Sequence, residues 1–189
     1  MYLGDTIVAQ STPYGYGGIG VVRLSGSKSI KIIQALSKTK NTPGDRTALK
    51  TTIFSGKRII DETVVVCYKK PKSFTGEDVV ELHSHGSPIV LDHLLGCAVK
   101  LGARLAGPGE FTQRAYLNGR IDLTQAEAVA DLIESDSLMS ARAAVRSLQG
   151  EFSAQINTII RQITDLRVEV EASIDFPDAD ILCIACPIS

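Results

Sequence analysis

The composition of the chain changes abruptly at about residue 120, and this change limits what the sequence can fold into. From Thr124 to Ile174 there is no proline and a single glycine, Gly150, while Ala, Leu, Glu, Gln and Arg are frequent. Such a segment favours long α-helices, because Gly and Pro are the residues that most oppose them. Glycine-rich turns divide the part of the chain before residue 120 into shorter segments. We therefore predict two domains, residues 1–120 and residues 121–189.

The first domain is predicted to be mixed α/β. Within VVELHSHG, the alternation of side chains puts Val80 and Leu82 on one face of a strand and leaves Glu81 and His83 on the other. Further strands are predicted in DTIVAQST, GVVRLSG, TTIFSGKRIIDETVVVCYKK (two strands) and ARL, and helices from Ser27 to about Lys38, in SPIVLDHLLGCAVKLG and from Phe111 to Asn118. The fold class of the whole chain is therefore α+β, with the second domain all-α.

The second domain is predicted to open with two long helices. Thr124 with Glu127 has the spacing of a capping box for the first, and Ser137 can cap the second. The second helix carries an apolar stripe that one helix cannot bury alone, so it needs either later helices of a longer chain or a second copy. The stripe consists of Leu148, Phe152, Ile156, Ile159, Ile160, Ile163, Leu166, Val170 and Ile174.

The overall composition is that of an ordinary soluble protein. The chain has 20 Lys and Arg against 21 Asp and Glu, which gives no overall attraction to nucleic-acid phosphate. No apolar run reaches the roughly 20 residues of a membrane span, and the N-terminus lacks the features of a signal peptide. The sequence therefore predicts a cytoplasmic protein that does not enter a membrane.

A nucleotide site is not expected in this chain. Residues 15–20 match G-x-G-x-x-G, but a dinucleotide site needs a helix after the third glycine, and Val21 to Leu24 is predicted as a strand. The phosphate-binding pattern G-x-x-x-x-G-K-[ST] does not occur in the sequence. We therefore expect no GTP hydrolysis by this chain alone.

Metal and nucleophilic chemistry are not expected either. His83 and His85 share one face of a strand, but they are two ligands without a recognisable third, and His93 lies on a predicted helix. Cys67 and Cys97 lie in apolar stretches and are predicted to be buried. The Cys-x-x-Cys at 183–186 allows a redox pair or half a zinc site, and chance spacing is the simpler reading. No Ser or Cys lies in a recognisable nucleophile motif.

Three charged residues on otherwise apolar elements form the candidate site: Arg23, Glu81 and Arg120. Taken singly, each can be explained by an ion pair between adjacent strands or by solvent exposure. Taken together they suggest a ligand. A strand carboxylate can accept two parallel N–H bonds from a 2-amino-pyrimidinone edge, and arginines suit carboxylates, so the set fits a pterin with a glutamate tail.

Five blocks in order, from about Asp5 to Ile181, resemble the N-terminal part of the MnmE (TrmE) family of tRNA modification GTPases. They are DTIVAQST, the stretch from Gly15 to Gly26, SFTGEDVVELHSHG, GPGEFTQRAYLNGRIDLTQAEAVADLI, and ARAAVRSLQGEFSAQI followed by EASIDFPDADI. The resemblance implies a tetrahydrofolate-binding domain similar to that of the glycine cleavage T protein. A helical domain follows it, into which a GTPase domain is inserted, and the chain is expected to be a fragment that ends near that insertion.

The resemblance also implies a function. Family members form homodimers and work with the flavoprotein MnmG (GidA) to build an aminomethyl or carboxymethylaminomethyl group at C5 of the wobble uridine of tRNA. The one-carbon unit comes from a tetrahydrofolate, in the 5-formyl or 5,10-methylene form. Positions matching Arg23, Glu81 and Arg120 contact the folate, with Glu77 as an alternative carboxylate. GTP, magnesium and potassium belong to the full-length proteins, so this chain is expected to keep folate binding and dimerisation only.

Two other functions remain open at this point. The chain can be an interaction module that dimerises without any ligand. It can also be a free-standing folate-dependent one-carbon transferase, which needs its own acid or base near the folate. Binding of 5-formyl-tetrahydrofolate separates the first from the folate site, and turnover of a methylene folate separates the second.

Overall fold

The computed structural model describes residues 4–39, 41 and 43–175 of the chain, which divides after Ala126 into two compact units. The Cys-x-x-Cys at 183–186 lies outside the described residues. No helix in the described part of the chain is long and apolar enough to cross a membrane. Each unit is considered by itself below.

The first unit is built on one six-stranded mixed sheet in the order β3-β4-β5-β2-β1-β6. All neighbouring strands are antiparallel except β1 and β6, which are parallel. The strands are β1 (Thr6–Gln10), β2 (Gly17–Ser25), β3 (Ala48–Ser55), β4 (Arg58–Tyr68), β5 (Val79–Gly86) and β6 (Ala103–Leu105). The predicted strands are thus confirmed, with one difference. Strand β2 begins at Gly17 rather than Gly20, because Gly17 pairs with Gly86 across a register irregularity.

Two helices cover one face of this sheet and form the hydrophobic core with it. They are α1 (Ser29–Ser37) and α2 (Pro88–Lys100), both predicted from the sequence. Their apolar side chains join inward-facing residues of β1 to β5, and Cys67 and Cys97 belong to this core as predicted. The buried cluster includes Val8, Val22, Leu24, Ile33, Leu36, Ile53, Val65, Val80, Leu82, Leu91 and Leu94.

The opposite face of the sheet carries polar side chains at its centre. Because side chains alternate along a strand, Glu81 and His83 lie on this face while Val80 and Leu82 lie in the core, as predicted. Helix α3 (Glu110–Leu117) and the loop of residues 69–78, which joins β4 to β5, lie beside this face. They bound the candidate site.

The helical segment contains three helices where the sequence predicted two. They are α4 (Leu123–Glu134), α5 (Leu138–Leu148) and α6 (Glu151–Asp175). The predicted second helix is interrupted because Gly150 adopts a φ of 86°, a left-handed conformation that ends a helix and that glycine adopts without steric cost.

The two predicted helix caps have different outcomes. Ser137 caps α5 as predicted, accepting the backbone N–H of Ser140, whose side chain accepts the N–H of Ser137 in return. The capping box at Thr124 is wrong, because α4 already includes Leu123. Asp122 and Gln125 form the reciprocal bonds instead, at 2.8 and 3.0 Å.

Helix α6 has no buried residue. The predicted apolar stripe is therefore exposed along α6 within the described chain, with Ile163 at 61% and Ile174 at 70%, whereas its first member, Leu148, lies in α5 and is half-buried.

Candidate functional site

Arg23 and Glu81 meet directly across β2 and β5, where the sheet register pairs them. Nε and Nη2 of Arg23 both donate to Oε1 of Glu81, at 2.8 and 2.6 Å. The side chains are 29% and 12% exposed. Charge-assisted bonds of this length in a half-buried setting are strong. Two of the three predicted site residues are therefore in contact, and they form the ion pair between adjacent strands that was the simpler alternative for each.

The second oxygen of Glu81 is less fully used. The hydroxyl of Tyr68 donates to Oε2 at 3.3 Å, and Nε2 of His83 lies 3.5 Å away, which is too long for a well-formed hydrogen bond. Burial raises the pKa of Tyr68, and the charge of Glu81 raises it further, so the phenol stays protonated and acts as a donor. Oε2 can therefore accept a further hydrogen bond, whereas both lone pairs of Oε1 are used by Arg23.

Two aromatic rings flank the guanidinium of Arg23. Its Cζ lies 6.0 Å from the centroid of Phe74 and 5.8 Å from that of Phe111. Phe74 belongs to the loop of residues 69–78 and Phe111 to α3, so two separate elements bring apolar surface to one ion pair. Rings at this distance attract a cation by their quadrupole and exclude water from one side of it.

Arg120 lies beside the same loop but not in the ion pair. It is exposed and follows α3, and a Cβ built on Gly76 would lie 3.2 Å from its Cγ. Asn118 fixes this approach by donating from Nδ2 to the carbonyl of Thr75 at 2.7 Å. Within the described chain, Arg120 forms no ion pair with Glu81. The loop of residues 69–78 is what connects Arg120 to the other two predicted residues.

The alternative carboxylate, Glu77, is engaged in a buried network. Nη1 of Arg114 donates to its two oxygens at 3.1 and 3.2 Å, and the hydroxyl of Ser25 donates to Oε2 at 2.7 Å. Arg114 is only 5% exposed and also donates to the carbonyl of Asp5 (2.9 Å), the carboxylate of Asp5 (2.5 Å) and Glu110 (3.1 Å). This network joins α3, the residue before β1, the end of β2 and the loop beside the candidate site.

Sequence reasoning missed Arg114. The available signal was its spacing from Glu110, four residues earlier on the same helix, but such pairs usually indicate a solvent-exposed helix face. Asp5 and Glu77 lie 109 and 37 residues from Arg114 in the sequence, and only the folded structure brings them to its guanidinium.

The histidines on β5 have separate surroundings. His83 approaches Glu81, whereas Nδ1 of His85 lies 2.8 Å from Oδ1 of Asp61. The other oxygen of Asp61, Oδ2, accepts from the hydroxyl of Ser84 and the backbone N–H of His85. Burial opposes ionisation of Asp61, but these hydrogen bonds outweigh it and lower its pKa. No group of three potential metal ligands occurs among the described residues.

The acid stability of the first unit is expected to depend on Glu110. Hydrogen bonds from Arg104 lower the pKa of Glu110 from 4.5 to about 2 against the opposing effect of burial, and the N–H of Gly107 and the side chain of Arg114 assist. A carboxyl with a depressed folded pKa stabilises the fold above its unfolded pKa, and that stability is lost as pH falls through the folded one. The free energy of unfolding should therefore fall between pH 4.5 and about 2.

Urea unfolding followed by circular dichroism at stepped pH values tests this dependence. Glu110→Gln should flatten the decline, whereas Glu62→Gln, which removes an exposed partner of Lys50, should leave it nearly unchanged. A decline of the same steepness in the Glu110→Gln variant would contradict the prediction.

Comparison with known proteins gives a consistent family match over both units. Residues 6–120 match the family model described as "GTP-binding protein TrmE N-terminus", and residues 123–185 match the one described as "MnmE helical domain". A protein of Francisella philomiragia named "tRNA modification GTPase MnmE" is 49% identical over 181 residues, which is 96% of this chain and 40% of that protein. The protein of the same name from Coxiella burnetii is 52% identical over 177 residues, 94% of this chain and 39% of its own length.

The chain thus spans about two fifths of the length of the curated relatives that it matches. Its sheet with two covering helices corresponds to the first family model, and its three later helices fall within the second. The chain therefore belongs to the TrmE (MnmE) family of tRNA modification GTPases.

Proposed function

We propose that the first unit binds a reduced folate, 5-formyl- or 5,10-methylene-tetrahydrofolate, at Glu81, Arg23 and Arg120. The observation that supports this is the carboxylate of Glu81 on the polar face of the sheet, paired with Arg23, whose guanidinium lies near two aromatic side chains from different elements. These groups fit the chemistry of the ligand. The carboxylate suits the amino-pyrimidinone edge, the rings suit its flat apolar surfaces, and the arginines suit its glutamate carboxylates.

Binding requires the ion pair to rearrange. Oε1 of Glu81 already accepts two N–H donors from Arg23, so it has no acceptor site left for a pyrimidinone edge. The ligand must therefore separate Arg23 from Oε1, and its glutamate carboxylate offers the guanidinium a replacement partner. Arg120, exposed beside Gly76, is available to a second carboxylate. When bound, the tetrahydrofolate supplies a one-carbon unit.

The same proposal extends to the working protein. Residues 1–120 would form the folate-binding and dimerisation domain, and residues 121–189 the first part of the helical domain. The relatives' name, tRNA modification GTPase, supports a role in tRNA modification. We expect a cytoplasmic homodimer that acts with MnmG (GidA) to add an aminomethyl or carboxymethylaminomethyl group at C5 of the wobble uridine. GTP, magnesium and potassium would be bound by parts of the relatives that this chain does not span.

Calorimetric titration with 5-formyl-tetrahydrofolate tests the site. Wild-type protein should bind, and Glu81→Gln should weaken binding about tenfold to hundredfold, because hydrogen bonds to a charged group contribute about 1.5–3 kcal/mol. Glu62→Gln, on a neighbouring strand and exposed, is the matched control and should bind as wild type. Unchanged affinity in folded Glu81→Gln would exclude this residue from the site.

One observation favours a second function, an interaction module without a ligand. Arg23 and Glu81 satisfy each other in the structure, so the pair needs no ligand to be stable. In that case the titration gives no heat at high micromolar folate while light scattering still gives the mass of a dimer. A one-carbon transferase would instead turn over a methylene folate, and we expect no turnover by this chain.

A further inference from the structure

The loop of residues 69–78 borders every residue of the proposed folate site. Just before it, Tyr68, the last residue of β4, contacts Glu81, and in the middle of the loop Phe74 lies near Arg23. Near its end, Gly76 approaches Arg120. The part of a bound ligand that leaves the site must therefore run either along this loop or away from it. The charges of the loop residues influence which path is favoured.

The first half of the loop carries a group of exposed cations. Lys69, Lys70 and Lys72 are exposed, and Arg46 joins them by donating from Nη2 to the carbonyl of Lys72 at 2.9 Å. We name these four residues the cation cluster. Among the residues that the structure describes, none forms a side-chain ion pair with a member of the cluster, whereas Arg23, Arg104 and Arg114 in the same unit are all paired.

The backbone beneath the cation cluster is fixed. The N–H of Lys69 donates to the carboxylate of Asp45 at 2.8 Å, and that of Lys70 to the carboxylate of Asp78 at 3.0 Å. Asp45 and Asp78 thus bond to main-chain N–H groups rather than to the lysine side chains. The ammonium groups of the lysines remain exposed to solvent. Arg46 itself has a φ of 57°, held by its N–H bond to the carbonyl of Cys67 at 2.7 Å.

The cation cluster lies within electrostatic range of the site. Burial and then the charge of Glu81 raise the pKa of Tyr68, and the charges of Arg23 and Arg46 oppose that rise. Arg46 is therefore within electrostatic range of the phenol that contacts Glu81. An anionic extension of a bound ligand is thus drawn toward the loop.

We propose that the cation cluster binds the oligo-γ-glutamate tail of a folate, so that this chain selects polyglutamylated over monoglutamylated folates. The inference rests on the proposed function, since it needs the pteridine end to lie at Glu81. Each added γ-linked glutamate contributes one carboxylate, and a flexible lysine can follow such a tail without a fixed geometry. The site then distinguishes folates by charge outside the pteridine pocket.

Calorimetry on the full chain with two probes tests the inference, using the monoglutamyl and pentaglutamyl forms of 5-formyl-tetrahydrofolate. The pentaglutamyl form should bind about tenfold more tightly at low salt, since several exposed ion pairs contribute about 0.2–1 kcal/mol each. The preference should largely disappear at about 0.5 M salt, where exposed charges are screened. Equal affinity for the two forms would overturn the inference while leaving the folate site in place. No binding of either form would instead overturn the proposed function.

A matched pair of variants locates the effect. Lys69→Gln/Lys70→Gln/Lys72→Gln should lose the preference and keep the monoglutamyl affinity, whereas Lys31→Gln/Lys57→Gln/Lys100→Gln, which removes three exposed lysines elsewhere in the unit, should keep both. Circular dichroism confirms that each variant is folded. A preference that survives in the first variant would place the tail elsewhere. Weaker binding of a short RNA by that variant, with the pentaglutamyl preference intact, would assign the cation cluster to phosphate and also overturn the inference.

Discussion

Replacing Arg114 with methionine should lower the free energy of unfolding of the first unit by about 3–5 kcal/mol, because it breaks a buried ion network from one side. Arg114 is 5% exposed and is the shared partner of Asp5, Glu77 and Glu110. Methionine keeps the aliphatic volume but leaves carboxylates short of donors in a poorly solvated position. A loss of this size is a large fraction of the stability of an ordinary domain.

Arg104 provides the control for this experiment. It pairs with Asp5 and Glu110, two of the same acids, but its side chain is 47% exposed. Arg104→Met should therefore cost less than Arg114→Met, because solvent can replace part of what the exposed guanidinium of Arg104 supplies to Glu110. Urea unfolding at pH 7, followed by circular dichroism, measures both. Equal losses in the two variants would show that burial of Arg114 does not determine the effect. Arg114→Lys should recover only part of the loss, because an ammonium lacks the planar fork of a guanidinium.

Replacing Gly26 with alanine should lower the free energy of unfolding by about 2–5 kcal/mol, the sum of backbone strain and overpacking. Gly26 has a φ of 128°, which L-residues rarely adopt. An added Cβ would lie 2.6 Å from the carbonyl oxygen of Asp5 and 2.8 Å from the Cα of Thr6. These are backbone atoms of the residue before β1 and of the first residue of β1, and moving them would disturb the pairing of β1 with β2 and β6.

Gly15 separates the two contributions to this loss. Its φ of 144° is similarly unfavourable for alanine, but no heavy atom lies within 4 Å of an added Cβ. Gly15→Ala should therefore show the strain alone, about 1 kcal/mol, and the difference between the two variants measures the clash. Thermal and urea unfolding of both proteins provide the comparison. A loss at Gly26 no larger than that at Gly15 would mean that β1 yields to the added methyl group.

The secondary structure of the first unit could be predicted from local pattern. Strand alternation placed Val80 and Leu82 opposite Glu81 and His83, and the structure confirms this because one face of β5 is covered by helices. The helical half was harder. Helix propensity predicted one helix that continues through Gly150. Glycine adopts a left-handed conformation at a lower free-energy cost than a place inside a helix, so the helix ends there and a new one begins.

The candidate site could be predicted only in part. Arg23 and Glu81 stood out because each is a charge within an apolar strand, but their separation of 58 residues hides the contact until the strand register is known. Arg114 gave no such signal, since a basic residue on a polar helix usually faces solvent. Its burial depends on where α3 lies against β1, which is a property of the assembled sheet rather than of any local segment.

Strand β5 places the hydrophobic core and the candidate site on the same eight residues. We expect a change of volume at Leu82 to shift the main chain that carries Glu81, because neighbouring side chains of a strand share one backbone. We therefore expect thermal stability and the proposed ligand affinity to be coupled at this strand. We expect divergence among relatives to accumulate on the outer strands first, where an altered side chain leaves the central carboxylate undisturbed.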